Sequence, residues 1–204
     1  MSHPKPLLLT AALSATALAT YGAYRLVLDQ AHPDSDGTTL AAALPATLAD
    51  ALPDFSLRDL HGRTTAIDSW PGRPLVINFW ATWCGPCRRE IPLLKSLQTD
   101  HPELTVVGIA IDQPEPVSEF AADIDFNYPI LVGLGDGMRA AAEFGIRNLA
   151  LPATIFTAPD GATLGVHVGE IHTAELEEFT ATLAALDAGT IDRSTARKRL
   201  AGRR

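Results

Sequence analysis

The pattern of apolar and polar residues predicts a sheet flanked by helices. Residues 75–80 and 104–111 are almost continuous apolar runs, the pattern of strands buried on both faces. Between them, residues 84–99 carry apolar side chains at helical spacing. Pro92 lies inside this predicted helix, and we expect it to kink the helix because its nitrogen has no hydrogen to donate.

Weaker patterns complete the predicted fold. The further elements are a short strand at 55–57, a turn at 60–63, a short segment at 67–70, a helix at 116–124, a strand at 128–132, a helix at 137–144, a hairpin of strands 153–157 and 163–168, and a last helix at 173–186 with Thr173 as its N-cap. This order predicts an α/β domain over residues 52–187, with a mixed central sheet and helices on both faces.

The segment before this domain has a different composition. Residues 7–24 contain no charged residue, and their 18 positions just reach the length of a bilayer span. We therefore predict a membrane anchor helix within residues 1–28, with a cleaved signal peptide as the alternative. Residues 29–51 are rich in Asp, Ala, Thr and Pro, which favours a flexible linker.

Charge is unevenly distributed over the 204 residues, whose net charge is -8. Residues 192–204 hold six basic residues and one acidic residue, so the rest of the chain is strongly acidic. An acidic body argues against nucleic-acid binding. We expect the basic tail, residues 188–204, to be a solvated terminus, and contact with anionic lipid headgroups is the alternative. No phosphate-cradling glycine motif is present, so no organic cofactor is predicted.

The only two cysteines, Cys84 and Cys87, lie where a buried strand gives way to a helix. Thiol-disulfide exchange needs one thiolate that attacks and a second thiol that resolves the mixed disulfide. Cys84 is expected at the helix N-terminus, where free N–H groups and the helix dipole stabilise a thiolate. Cys87, one turn later, is expected to be shielded. No metal site is predicted, because zinc needs two further ligands at a plausible spacing.

The stretch from Asn78 to Pro92, in which Trp83 flanks the cysteine pair and Gly85-Pro86 fills it, resembles the TlpA/ResA-like thioredoxins. These are exported, often membrane-tethered bacterial thiol-disulfide reductases with a thioredoxin-like fold. The resemblance runs from Leu52 to Leu186. It implies a catalytic domain on the periplasmic side of the bacterial inner membrane. It also implies disulfide-containing exported proteins as partners, such as those with haem-attachment or copper-site cysteines, and a membrane thiol electron donor.

Three further residues acquire roles from this resemblance. Pro152 matches a cis-proline that faces the active site, where the backbone at Leu151 pairs with substrate; an ordinary turn proline is the alternative. Glu90 matches an acidic residue that, when partly buried, relays protons to Cys87; a solvated Glu is the alternative. Asn78 stands where cytosolic thioredoxins have a buried Asp, which moves proton handling toward Glu90 or water. The insert typical of the group corresponds to residues 112–132.

Three other functions remain open. A peroxidase of this fold needs Pro and Thr before its cysteine at the positions held here by Ile77 and Ala81. Copper-handling relatives use cysteines separated by three residues and a distant His, for which His167 and His172 are the candidates. A disulfide oxidase or isomerase is the third option, since the Gly85-Pro86 dipeptide of reducing thioredoxins influences the potential without fixing it.

Overall fold

The two continuous apolar runs lie side by side at the centre of a seven-stranded mixed sheet. In the computed structural model, which describes residues 49–146, 148 and 150–201, β3 (Leu75–Trp80) pairs in parallel with β4 (Thr105–Ala110). On its other side β3 pairs antiparallel with β6 (Ala153–Thr157). All residues of these three strands are buried, which explains why their sequences are apolar runs and not alternating patterns.

Four further strands extend the sheet to both edges. They are β1 (Ser56–Asp59), β2 (Thr64–Ala66), β5 (Ile130–Val132) and β7 (Thr163–Val168). The strand order is β2-β1-β5-β4-β3-β6-β7. β6 and β7 form the predicted hairpin, and β7 is an edge strand.

Five helices of the described residues cover the sheet. They are α1 (Gly85–Asp100), α2 (Pro114–Ile124), α3 (Leu134–Glu143), α4 (Thr173–Asp187) and α5 (Arg193–Leu200). Two apolar cores form because alternate residues of β3 point to opposite faces: Trp80 packs in the core that includes α1 and α4, and Phe79 in the core that includes α3. The predicted mixed sheet with helices on both faces is confirmed.

The C-terminal segment differs from the prediction. Residues 193–200 form α5, which packs on β7 and α4 through buried Ala196 and Leu200, so the expectation of a frayed, solvated tail is wrong for these residues. The helix is short of apolar residues, and the two that it buries are four positions apart on one face. A Cβ at Gly165 of β7 would lie 2.8 Å from the Leu200 carbonyl oxygen, so the glycine is what permits this close approach.

Arg197 of α5 ties the start of the described chain to the hairpin. Its guanidinium donates to the carbonyl oxygens of Thr163 and Ala49, at 2.9 and 3.0 Å, and to the Asp50 carboxylate at 2.8 Å. The Thr163 amide also donates to the Ala49 carbonyl at 2.9 Å. The contacts of the domain thus extend to Ala49, three residues before the predicted boundary at Leu52.

Two of the helices begin earlier than predicted. α2 begins at Pro114 and α3 at Leu134, two and three residues before their predicted starts. Thr173 is the first residue of α4 and not its N-cap: His172 holds the cap position, and its amide donates to Glu175 at 3.0 Å. Pro92 lies inside α1, which runs on past it.

The predicted anchor, residues 1–28, and the linker up to residue 48 lie outside the described residues. Within the part of the chain that the structure describes, no helix combines the length and apolar character that a membrane crossing requires.

Candidate active site around the cysteine pair

Cys84 and Cys87 are joined by a disulfide at the first turn of α1. Their sulfurs are 2.01 Å apart, and Cys84 is the N-cap of the helix, as predicted. The Cys87 amide points at Cys84 Sγ at 3.3 Å, so a backbone donor at the helix start already faces this sulfur. Cys87 is fully buried, whereas Cys84 keeps 6% of its surface exposed. This difference fits Cys84 as the attacking residue and Cys87 as the shielded, resolving one.

A tight turn connects the end of β3 to Cys84. The Cys84 amide donates to the Ala81 carbonyl at 3.1 Å, and the intervening Thr82 binds Asp112. The next residue, Trp83, is 63% exposed, the most exposed of the large apolar side chains among the described residues. An indole therefore stands at the surface directly beside the reactive cysteine.

Glu90 lies one turn beyond Cys87 on the buried face of α1. Only 1% of its surface is exposed, so the predicted partial burial is in fact nearly complete. One carboxylate oxygen accepts from Asn78 Nδ2 at 2.7 Å and the other from the Ile171 amide at 2.8 Å. Residues three apart on a helix lie on the same face, with their Cβ atoms about 5–6 Å apart. The carboxyl group is therefore on the same side of α1 as the Cys87 thiol.

Burial raises the pKa of the Glu90 carboxyl from its ordinary value to about 7, because the charged form loses its hydration. The hydrogen bonds from Ile171 and Asn78 oppose this pKa shift, since they favour the ionised form, and the nearby Glu170 charge adds to it. At neutral pH the group is thus divided between its protonated and ionised forms, which suits a group that both accepts and returns a proton.

Asn78 connects Glu90 to the strand that follows Pro152. Its amide nitrogen also donates to Thr154 Oγ1 at 3.1 Å, and all three side chains are buried. An amide at this position donates to the carboxylate, whereas an Asp would place a second acid against it. The departure noted in the sequence is therefore compatible with a single proton-handling carboxyl group, that of Glu90.

The Leu151–Pro152 peptide bond is cis, as the resemblance implied. Phe79 is paired with Ala153, so Pro152 lies opposite the end of β3, from which the Cys84 turn departs. Leu151 is half-buried and packs against the core that contains both cysteines. The register thus brings Leu151 and Pro152 to the same end of the sheet as the disulfide.

The loop after β7 closes another side of the site. The Gly169 amide donates to the Pro152 carbonyl at 2.8 Å, and Glu170 forms an ion pair with Arg89 of α1, with Nη2 and Oε2 2.5 Å apart. The Ile171 amide binds Glu90, as described above. Three successive residues of one loop therefore contact the proline strand, the surface of α1 and the buried carboxylate.

The His residues considered for copper binding have other contacts. His167 is paired with Thr154 in the hairpin, and its Nε2 lies 3.2 Å from the Glu170 carbonyl oxygen. His172 caps α4 at the surface. Across residues 49–146, 148 and 150–201 we find no group of three His, Cys, Asp or Glu side chains placed to hold a metal ion.

Sequence reasoning missed two parts of the site. Neither the contact of Asp112, at the end of β4, with Thr82 nor the pairing of Arg89 with Glu170 was predicted. The position of Asp112 could have indicated its role. An acidic residue directly after a buried strand lies at the same edge of the sheet as the end of the neighbouring parallel strand, here β3. No local signal links Arg89 to Glu170, which are 81 residues apart.

Comparisons with known proteins agree with this geometry. Thioredoxin-like protein YneN of Bacillus subtilis is 33% identical over 131 residues, which cover 62% of this chain and 74% of that protein. Thiol-disulfide oxidoreductase ResA of Halalkalibacterium halodurans is 33% identical over 129 residues, covering 62% of this chain and 71% of that protein. The similarity to ResA confirms the resemblance noted in the sequence.

Among solved structures, a thiol:disulfide interchange protein of the thioredoxin family from Chlorobium tepidum matches with a TM-score of 0.58. It is 28% identical, and the match covers 68% of this chain and 97% of that one. The thioredoxin-like α/β fold is thereby confirmed. A family model matches residues 48–163, more than half of the sequence, and on this ground the chain belongs to the AhpC/TSA family.

Proposed function

We propose that the protein is a thiol-disulfide oxidoreductase that works in the reducing direction on disulfides of exported proteins. The observation that carries the proposal is the Cys84–Cys87 disulfide at the N-terminus of a helix, with a buried carboxyl group one turn further on. The printed names of the similar proteins, thiol-disulfide oxidoreductase and thiol:disulfide interchange protein, support the same reaction class.

The reaction starts from the reduced pair. The Cys84 thiolate attacks one sulfur of the partner disulfide, forming a mixed disulfide and releasing one partner thiolate. Cys87 then loses its proton and attacks Cys84 Sγ, which expels the second partner thiolate. The partner gains two electrons, and the Cys84–Cys87 disulfide is formed. We assign to Glu90 the acceptance of the Cys87 proton, because its carboxyl group lies on the same helix face and has a pKa of about 7.

We further propose that the reaction runs in the reducing direction and that the protein is located at the inner membrane. The Gly85-Pro86 dipeptide supports the first, and the uncharged apolar run 7–24 supports an inner-membrane anchor with the domain on the periplasmic side. In that oxidising compartment the pair needs a membrane thiol electron donor to be reduced again. Exported proteins with haem-attachment or copper-site cysteines are the partners that we propose.

The peroxidase alternative finds no support at the cysteine. Ile77 and Ala81 occupy the positions of the peroxidatic Pro and Thr, and both are fully buried apolar residues. Neither supplies the hydroxyl group that a peroxide site of that class requires beside Cys84.

Two experiments test the proposal. Cys87→Ser in cells should accumulate partners linked to Cys84 by a mixed disulfide, whereas the matched control Cys84→Ser should not. If Cys87→Ser traps no protein, the proposed mechanism fails. Equilibration of the full chain with graded thiol buffers then gives the potential: a value near that of reducing thioredoxins supports the reductase, and one near that of disulfide-forming enzymes reverses the direction.

A further inference from the structure

The turn that presents Cys84 is held from outside by one carboxylate. Asp112 Oδ2 accepts both from the Thr82 hydroxyl at 2.6 Å and from the Thr82 amide at 3.1 Å. Its other oxygen accepts from the Gln113 amide at 2.8 Å. Asp112 is 8% exposed, so these contacts form with little competition from water.

Asp112 is itself fixed in position. It follows β4, whose pairing with β3 ends with the Ile111 amide donating to the Trp80 carbonyl at 2.8 Å. The carboxylate thus extends from the centre of the sheet to Thr82, the second residue after the end of β3. On the far side of the turn, Cys84 has its own contacts with the helix: its carbonyl oxygen accepts from the Arg88 amide at 3.1 Å.

We propose that Asp112 and Thr82 form a latch that positions the Thr82–Cys84 turn for attack on a macromolecular disulfide. Asp112 is a positioning residue here, since it acts through Thr82 and not on the sulfurs. The latch sets the positions of Trp83 and Cys84 relative to Leu151 and Pro152. We expect a partner chain to bind along the backbone of these two residues. This inference rests on the proposed function and adds a device that governs partner attack.

The geometry separates two properties of Cys84. Its thiolate is stabilised by the N-terminus of α1, and those contacts do not involve Asp112. Its position relative to a docked partner depends on the turn, and a misplacement of about 1 Å can cost about 100-fold in rate. Loss of the latch should therefore slow reaction with a large, docked disulfide and spare reaction with a small one.

The test uses the full chain with Cys87→Ser as background, so that only the first step is observed. Thr82→Val removes the hydroxyl donor while keeping the side-chain shape, and Thr82→Ser restores it. Thr180→Val is the matched control, since the Thr180 hydroxyl donates at 3.1 Å to a helix carbonyl remote from the cysteines. Rates of mixed-disulfide formation are measured with a disulfide-bonded peptide and with dithiobis(nitrobenzoate).

We expect Thr82→Val to lower the rate with the peptide about tenfold and to change the rate with the small disulfide less than twofold. Thr82→Ser and Thr180→Val should react at the background rate with both. An equal fall with both disulfides, or no fall with the peptide, would overturn the latch. Should Thr82→Val fail to fold, Asp112→Asn is judged by the same ratio of rates.

The two proposals fail in different ways. If the background chain with intact Thr82 forms no mixed disulfide with either reagent, the proposed function is wrong. If it reacts with both and Thr82→Val keeps the same ratio of rates, only the latch is wrong.

Discussion

The Glu90 carboxylate accepts a hydrogen bond of 2.8 Å from the Ile171 amide, so the helix that carries the cysteines is joined to a loop 81 residues later in the chain. The bond is buried, and the same carboxylate binds Asn78 of β3. One titratable side chain therefore links three elements around the disulfide. Its protonation state should influence both the stability of the domain and the chemistry of the pair.

Replacement of Glu90 by Gln should change how stability depends on pH. The pKa of Glu90 is about 7 in the folded protein and about 4.5 ordinarily, so its contribution to stability is fully present below pH 4.5 and is lost as the pH rises to 7. The corresponding fall in the free energy of unfolding is about 3 kcal/mol. Gln does not titrate, so Glu90→Gln should remove this fall. Urea unfolding of the oxidised chain from pH 4.5 to 8 measures it.

The matched control is Glu119→Gln on the exposed face of α2, which should keep the wild-type dependence on pH. A Glu90→Gln curve with the same slope as the wild type would mean that Glu90 is ionised in the folded protein well below pH 7.

Asn78→Asp should destabilise the protein more at pH 8 than at pH 6. The new carboxyl group would lie within hydrogen-bond distance of Glu90 in a buried site. Ionisation of both carboxyl groups is strongly unfavourable there. At pH 6 the two carboxyl groups can share one proton. At pH 8 either both groups are ionised side by side or the shared proton is held at a raised pKa, and either state lowers the free energy of unfolding by more than about 1.4 kcal/mol. Urea unfolding at both pH values measures the difference.

The exposed Asn127 offers the comparison, since Asn127→Asp introduces the same charge at the surface. The interpretation is wrong if both variants respond equally to pH.

Arg89→Ala should raise the pKa of Glu90 above its wild-type value. Arg89 neutralises Glu170, and the Glu170 charge already contributes to the raised pKa of Glu90. Without the guanidinium that charge acts on Glu90 unopposed. The ion pair lies at the surface, where such pairs contribute little, so the free energy of unfolding should hardly change. Carbon-detected NMR titration of the Glu90 carboxyl measures the pKa directly.

Arg88→Ala serves as the control, because Arg88 lies over the Phe120 ring, 5.4 Å from its centroid, and not beside Glu170. Equal pKa shifts in the two variants would show a general charge effect and not the pairing of Arg89 with Glu170.

Gly165→Ala should displace α5 from β7. The added methyl group would lie 2.8 Å from the Leu200 Cβ and carbonyl oxygen, closer than packed atoms allow. Overpacking of this kind costs about 1–3 kcal/mol, and amides of α5 should exchange with solvent faster. Gly135→Ala is the control, since the nearest contact there is the flexible end of Arg139 at 3.7 Å. Protection of α5 unchanged in Gly165→Ala would contradict the close packing.

The central strands and α1 could be predicted because their buried positions produce local patterns of apolar residues. β3 and β4 are buried on both faces and so appear as apolar runs, and α1 shows helical spacing. The cysteine pair falls at the junction of strand and helix, where the sequence alone indicated its chemistry. The membrane anchor within residues 1–28 stays a prediction.

The features that were missed depend on contacts between distant segments. α5 has only two buried residues, too few for an amphipathic signal, and its docking depends on the absence of a side chain at Gly165. Glu90 is buried where it contacts Ile171 and Asn78. These residues are distant in sequence, so no local pattern around Glu90 predicts the burial. Asp112 gains its role only when the ends of β3 and β4 are placed together.

The Arg197 contacts also fix Ala49 at one end of the sheet. Ala49 is held beside Thr163, next to the hairpin turn, and Leu75 at the start of β3 binds Thr157 at this same end, 2.9 Å away. Cys84 follows the opposite end of β3, a strand of six residues that is about 20 Å long. Ala49 therefore lies at the end of the sheet remote from the sulfurs, and the Arg197 contacts take up none of the surface around Cys84.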